Sequence, residues 1–169
     1  RNIETNKGYP ELYFTHGLVI HFATPLRQPV VNRTRHREHR TGHHHIVEMT
    51  NNELRVACVG IRSRGQSHIG GLNKLPDVRV TALVDVDRDV LDREQKKMAD
   101  GKYGDAGKVD VYTDLRRVLD RDDIDAIAVA TPNHWHALQA VWACQAGKDV
   151  YLEKPVSHNV WEGGQIVKA

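Results

Sequence analysis

What most constrains this chain is an alternation that begins at Leu54 and runs to the last residue. Short apolar runs alternate with stretches whose apolar residues recur on one helical side. Leu54 to Gly60 reads as a buried parallel strand ending in glycine. Gly65 to Leu75 follows, with Ile69, Leu72 and Leu75 along one helical face. Val78 to Asp85 is a second β-branched run, and Asp87 to about Asp100 a charged, solvent-facing helix. Val109 to Tyr112 predicts a short strand, Leu115 to Leu119 a short helix, and Asp125 to Ala130 a fourth, buried strand. His134 to Gly147 predicts a helix with Ala137, Val141 and Cys144 on its inner stripe and Gly147 as its stop. Val150 to Leu152 is a fifth strand and Val160 to Ala169 a last helix. Strand and helix in regular succession imply a parallel sheet with helices on both faces, an α/β doubly wound fold.

The first 48 residues differ in kind. They hold seven of the eleven histidines and an arginine-rich run from Arg33 to Arg40, and they show no helical or strand period. Pro10, Pro25 and Pro29 interrupt short apolar runs such as Leu18-Val19-Ile20. Such a composition buries too little to order itself, so 1–48 is expected to be a disordered or non-native extension, with Met49 as the natural start. The domain proper is then 49–169. A metal site among Arg35 to His45 is disfavoured, because adjacent histidines seldom converge on one ion and no cysteine or carboxylate lies at ligand spacing. No metal is expected elsewhere; Asp120, Asp122, Asp123 and Asp125 read as a solvated turn.

The formal net charge of +2 implies no nucleic-acid partner. No apolar run approaches the roughly 20 residues that span a bilayer, so no membrane partner is expected. Cys58 and Cys144 have neither metal nor redox spacing, which points to free thiols and a cytoplasmic setting.

Between the first strand and first helix lies Gly60-Ile61-Arg62-Ser63-Arg64-Gly65. A glycine turn there presents backbone N–H groups and a helix N-terminus to a diphosphate. Gly60 allows the tight turn and Gly65 the close packing of helix on strand. Arg62 replaces the middle glycine and must swing out or lie over the phosphates as a counter-charge. Asp85 ends the second strand, where a carboxylate accepts hydrogen bonds from the adenosine ribose. It repels the additional phosphate of NADP, so NAD is the expected cofactor. Arg88 nearby leaves NADP open, and Asp87 weighs against it.

Two later motifs carry a resemblance. Thr131-Pro132-Asn133-His134-Trp135-His136 follows the fourth strand, and Glu153-Lys154-Pro155 closes the fifth. With Arg64-Gly65 and His68 in the turn, residues 54–169 resemble the N-terminal Rossmann domain of the Gfo/Idh/MocA oxidoreductases. The resemblance implies that Thr131, Asn133 and His136 line the cofactor. It implies that Glu153 supports the nicotinamide side and that Lys154 is the catalytic or substrate-binding lysine. A lysine amine takes a proton from a carbinol only when its pKa falls from about 10.4 toward neutrality. The family's second, mostly antiparallel substrate domain is absent from these residues, so the chain by itself is expected to turn nothing over. The expected substrate is a small sugar, polyol or similar hydroxylated molecule, and a full-length form is expected to be a homo-oligomer. Two other readings stand beside a dehydrogenase: an NAD-dependent glycoside hydrolase of the same fold, and a nucleotide-binding module without chemistry. Taken singly, His136 suits a helix surface, Lys154 a solvated strand end, and Trp135, Trp142 and Trp161 packing.

Overall fold

The structure, a computed structural model, describes residues 17–20, 53–104 and 107–169. Five parallel strands form its sheet: β2 (Leu54–Val59), β3 (Val78–Val84), β4 (Asp110–Tyr112), β5 (Ala126–Val129) and β6 (Asp149–Glu153). A further strand, β1 (Gly17–Ile20), pairs antiparallel with β6, giving the order β1-β6-β5-β2-β3-β4. The helices are α1 (Arg64–Leu72), α2 (Arg88–Ala99), α3 (Arg116–Leu119), α4 (Asn133–Gln145) and α5 (Val160–Lys168).

Successive residues of a strand face opposite sides, and β2 shows the consequence. Val56 and Cys58 join one core with Ile69 and Leu72 of α1 and Val90, Leu91 and Met98 of α2. Ala57 and Val59 join the other with Val118 of α3, Ala137, Ala140 and Ala143 of α4 and Ile166 of α5. Both faces of the sheet are therefore covered, as the unbroken apolar runs require. Burial pushes the Cys58 thiol up to about 12, and both cysteines are free.

The chain leaves β2 toward β3 and β4 on one side, then returns to β5 and β6 on the other. Strand order therefore reverses between β2 and β5, and a crevice opens beyond the carboxyl ends of these two strands.

Several sequence expectations are corrected. The strand Gly17–Ile20 lies inside the stretch expected to carry no regular structure; an edge offers unpaired N–H and C=O groups that any extended segment can meet. The rest of 1–48, with its histidine-rich run, lies outside the described residues. Helix α1 stops at Leu72 rather than Leu75, because Asn73 turns its side chain to accept from Val80 N–H at 3.0 Å and Pro76 forbids continuation. The buried stripe of α4 is His136, Ala137, Gln139, Ala140 and Ala143, while Val141 and Cys144 are only partly covered. Trp135 and Trp161 are 45% and 72% exposed, so of the three tryptophans only Trp142 packs against the core. Asp125 is no solvated turn acid: it accepts from the Arg55 backbone N–H at 2.8 Å and from its guanidinium at 3.1 and 3.2 Å.

Candidate active site

The turn after β2 is closed by its glycines. Gly60 has φ 75°, and a Cβ there would stand 2.8 Å from the Thr131 backbone nitrogen and methyl group. A Cβ on Gly65 would stand 2.0 Å from the Gly60 carbonyl oxygen. Neither position accepts a side chain, so the turn closes only with glycine at both. Gly60 also brings the turn against the Thr131 loop, joining two of the expected site segments.

Asp87 caps α2 by accepting from Asp89 and Val90 N–H, and Asn159 caps α5 by accepting from Glu162 N–H. Helices α1 and α4, which start at the crevice, have no side-chain cap and no acid in the first turn. No capping or acidic side chain therefore competes with an anionic ligand at either helix start, although Gly65 N–H already donates to the Arg62 carbonyl at 2.8 Å and Trp135 N–H to that of Pro132 at 2.9 Å. A glycine cradle and uncapped helix starts fit a dinucleotide diphosphate.

A cleft of about 490 Å³ lies there, lined by Arg64, Ala130, Thr131, Asn133, His136, Glu153, Lys154 and Pro155. Six of the residues singled out from sequence thus meet in one cavity. His136 is 2% exposed, not on the helix surface. Its Nε2 lies 2.7 Å from the Thr131 carbonyl oxygen and its Nδ1 2.7 Å from that of Pro155, so it staples the two loops that flank the cleft. Thr131 donates its hydroxyl to Gln139 Oε1 at 2.7 Å.

Glu153 and Lys154 part company as strand pleating requires: Glu153 is buried and Lys154 exposed. The Lys154–Pro155 peptide is cis. Arg64 Nε donates to Glu153 Oε1 at 2.6 Å, and His68 Nε2 lies 2.7 Å from the same oxygen. Burial pushes the Glu153 carboxyl up, but Arg64 and His68 outweigh it and hold the group below the usual carboxylate range. Burial lowers the His68 pKa against the opposing pull of Glu153.

Asp85 and Arg62 lie to one side. Asp85 Oδ2 accepts from Ile61 N–H at 3.1 Å and Oδ1 from Asp87 N–H at 3.0 Å, so Asp85 braces the glycine turn against the end of β3. An ionised carboxylate has about four acceptor positions, which leaves room for ribose hydroxyls. Arg62 swings outward into an ion pair with Asp87 and does not line the cleft.

Sequence reasoning noted His68 only as part of a motif and missed that it grips Glu153. The signal was available: His68 stands four residues after Arg64, on the same helical side.

Parallel strands, a glycine turn and a crevice where strand order reverses define an NAD-binding Rossmann domain. Residues 54–169 match the model of the oxidoreductase family with an NAD-binding Rossmann fold, and the chain belongs to the Gfo/Idh/MocA family. It is 36% identical over 118 residues to an alpha-N-acetylgalactosaminidase of Shewanella oneidensis, a match covering 68% of this chain and 25% of that protein. Its fold is similar to scyllo-inositol dehydrogenase from Lactobacillus casei (TM-score 0.62, 25% identity, 71% of this chain and 33% of that one). It is similar as well to myo-inositol 2-dehydrogenase from Lactobacillus plantarum (TM-score 0.58, 28% identity, 69% and 32%). The chain therefore spans about a quarter to a third of the length of these proteins. No helix among the described residues is long and apolar enough to cross a membrane.

Proposed function

We propose that this chain is the cofactor half of a dehydrogenase that moves hydride between NAD and a sugar, polyol or related hydroxylated substrate. One observation carries the reading. The glycine turn and the Glu153-Lys154-Pro155 triplet, 89 residues apart, touch through the 2.6 Å Arg64–Glu153 bond, so one extended ligand can reach both.

In this reading the turn 60–65 and the start of α1, which no side chain caps, hold the diphosphate. Arg64 adds positive charge, while Arg62 stays outside on Asp87. Asp85 faces the adenosine ribose. Thr131, Asn133 and the loops stapled by His136 form the wall toward the nicotinamide. When bound, NAD supplies the hydride acceptor. Lys154, exposed at the cleft mouth, is the group placed to hold or move the substrate hydroxyl proton. Glu153 keeps its own side of the strand end fixed.

Titration of the whole chain with NAD, followed by tryptophan fluorescence or calorimetry, tests the first half. Saturable, weak binding without turnover is expected, and no binding of NAD or NADP overturns the reading. A second reading is favoured by the 36% identity to an alpha-N-acetylgalactosaminidase: a glycoside hydrolase built on the same NAD-binding domain. In a protein joining this domain to a substrate domain, net NADH formation marks the dehydrogenase. Sugar release without net NADH marks the hydrolase.

A further inference from the structure

Helix α1 does two things at the cleft. Its first residue, Arg64, follows the glycine turn directly, and its side chain is 48% exposed. One turn later, His68 is 3% exposed and faces the sheet. Both reach a single atom, Glu153 Oε1, from the same side of the helix. Glu153 is the last residue of β6 and 6% exposed, and the next residue is Lys154. The ring of Tyr151, two residues earlier on the same strand face, meets the His68 ring edge-on at 5.1 Å.

The His68 ring has a defined orientation. Its Nδ1 is buried and has no hydrogen-bond partner among the described residues. A proton there would be a donor without an acceptor, so the ring is neutral with its proton on Nε2, donated to Glu153. Glu153 in turn is a buried carboxylate whose charge is matched by Arg64 and received by His68. Without them it would be desolvated and unpaired, a strongly unfavourable state.

We infer that His68 is a positioning residue for the reactive end of β6: through Glu153 it locks the peptide bearing Lys154 to the helix that begins at the diphosphate turn. Cofactor seat and lysine are then one rigid unit rather than two loops that meet on binding. This rests on the reading above that Lys154 works at the cleft. It goes beyond that reading by assigning a role to a side chain that is absent from the cleft lining.

The test uses the whole chain and two variants. His68→Leu keeps the volume and removes the donor. His68→Gln keeps an amide N–H at the reach of Nε2. Backbone amide resonances of Lys154 and Val156 report the end of β6 without any cofactor, and NAD titration reports the cleft. His68→Leu should displace both resonances and weaken NAD binding about tenfold, the value of a hydrogen bond to a charged group. His68→Gln should return both readouts most of the way to wild type. If His68→Leu does not fold, Glu153→Gln replaces it. This change keeps the shape, should move the same amides, and should release the His68 ring from its Nε2–H tautomer, visible in the ring nitrogen shifts. Equal losses in His68→Gln and His68→Leu would overturn the proposal, since ring volume would then be what matters. Unmoved Lys154 and Val156 resonances in every folded variant would overturn it too. A wild-type chain that binds no nicotinamide dinucleotide removes the functional reading instead, and the amide shifts still decide the positioning role.

Discussion

Glu94 and Glu153 are both buried carboxylates touched by side chains of α1, and they differ in where their other partners come from. Glu94 lies within α2. Its Oε1 accepts from Gln66 at 3.0 Å, Arg93 at 3.2 Å and Lys97 at 2.7 Å, and its Oε2 accepts from the Tyr103 hydroxyl at 2.7 Å. Glu153 ends β6, and its two α1 partners reach one oxygen only. In both, burial pushes the carboxyl up and hydrogen-bond donors bring it below the usual range. A perturbed buried acid is therefore no marker of function in this molecule. Position is: Glu94 braces α1 against α2 and does not line the cleft, while Glu153 lines it where the sheet opens. Helix α1 serves both, with Gln66 on one side and Arg64 and His68 on the other.

Removing each carboxylate should separate the two roles. Glu94→Ala leaves the Tyr103 hydroxyl and the Gln66 amide without their acceptor. Its cover is thin, however, with the Arg93 and Lys97 side chains 50% and 25% exposed, so water can replace part of the loss. A stability loss of about 2 kcal/mol is expected in a denaturant titration. NAD affinity of the folded protein should stay within about twofold, since none of the donors to Glu94 lines the cleft. Glu153→Ala should cost less stability, about 1–2 kcal/mol for one stranded His68 donor, and should weaken NAD binding clearly. A Glu94→Ala protein that loses NAD affinity as heavily as Glu153→Ala would dissolve the contrast.

The contrast also shows what could be read in the residues themselves. The five parallel strands and their helices were legible because both sheet faces are covered, which forces apolar runs such as Ala126–Val129, and because Gly147 and Asp87 mark helix ends. The meeting of Gly60, Arg64, Thr131, Asn133, His136, Glu153 and Lys154 was legible as well, since all follow or close parallel strands and such ends share one side of the sheet. Individual partners were not. Nothing in spacing says that Asp85 gives an oxygen to Ile61 N–H, that Arg62 leaves the cleft for Asp87, or that His136 bridges Thr131 and Pro155. These depend on how far two loops stand apart, a property of the packed sheet. The strand Gly17–Ile20 was illegible for a related reason, because an edge pairing is made by backbone and needs no side-chain period.

Acid should bring the Glu153 side out before the Glu94 side. In the folded protein His68 resists a proton, through burial first, although Glu153 pulls the other way and Arg64 opposes it; Tyr151 is the other group packed on the ring. The unfolded chain takes up that proton near pH 6.5 and the folded one only at lower pH. Stability should therefore be complete above about pH 6.5 and decline as pH falls below it, by at most about 1.4 kcal/mol per pH unit for one proton. Glu94 and Glu153 have lowered values, so their contributions hold above the ordinary carboxylate value of 4.5 and fade only below it. His68→Gln should flatten the decline that begins below about pH 6.5 and leave the loss below the ordinary carboxylate value of 4.5 in place. Urea midpoints across this range give the answer, and an unchanged slope in His68→Gln would assign the decline to another group.

The smallest effect sharpens the comparison most, because it comes from the same helix. Gln66 lies between Arg64 and His68 in sequence but on the other side of α1, and its amide donates to Glu94 alone among the acids. Gln66→Ala removes one of four donors to that carboxylate, and the remaining three keep it paired, so the stability loss should be only about 0.5–1 kcal/mol. If α1 passes strain freely from one side to the other, even this small change should shift the Lys154 and Val156 amides. If the Glu94 brace and the Glu153 lock are separate, the amides should stay at their wild-type positions while the urea midpoint falls slightly. The second outcome is expected, because the i, i+4 pair on the Glu153 side and the α2 contacts on the other share no partner.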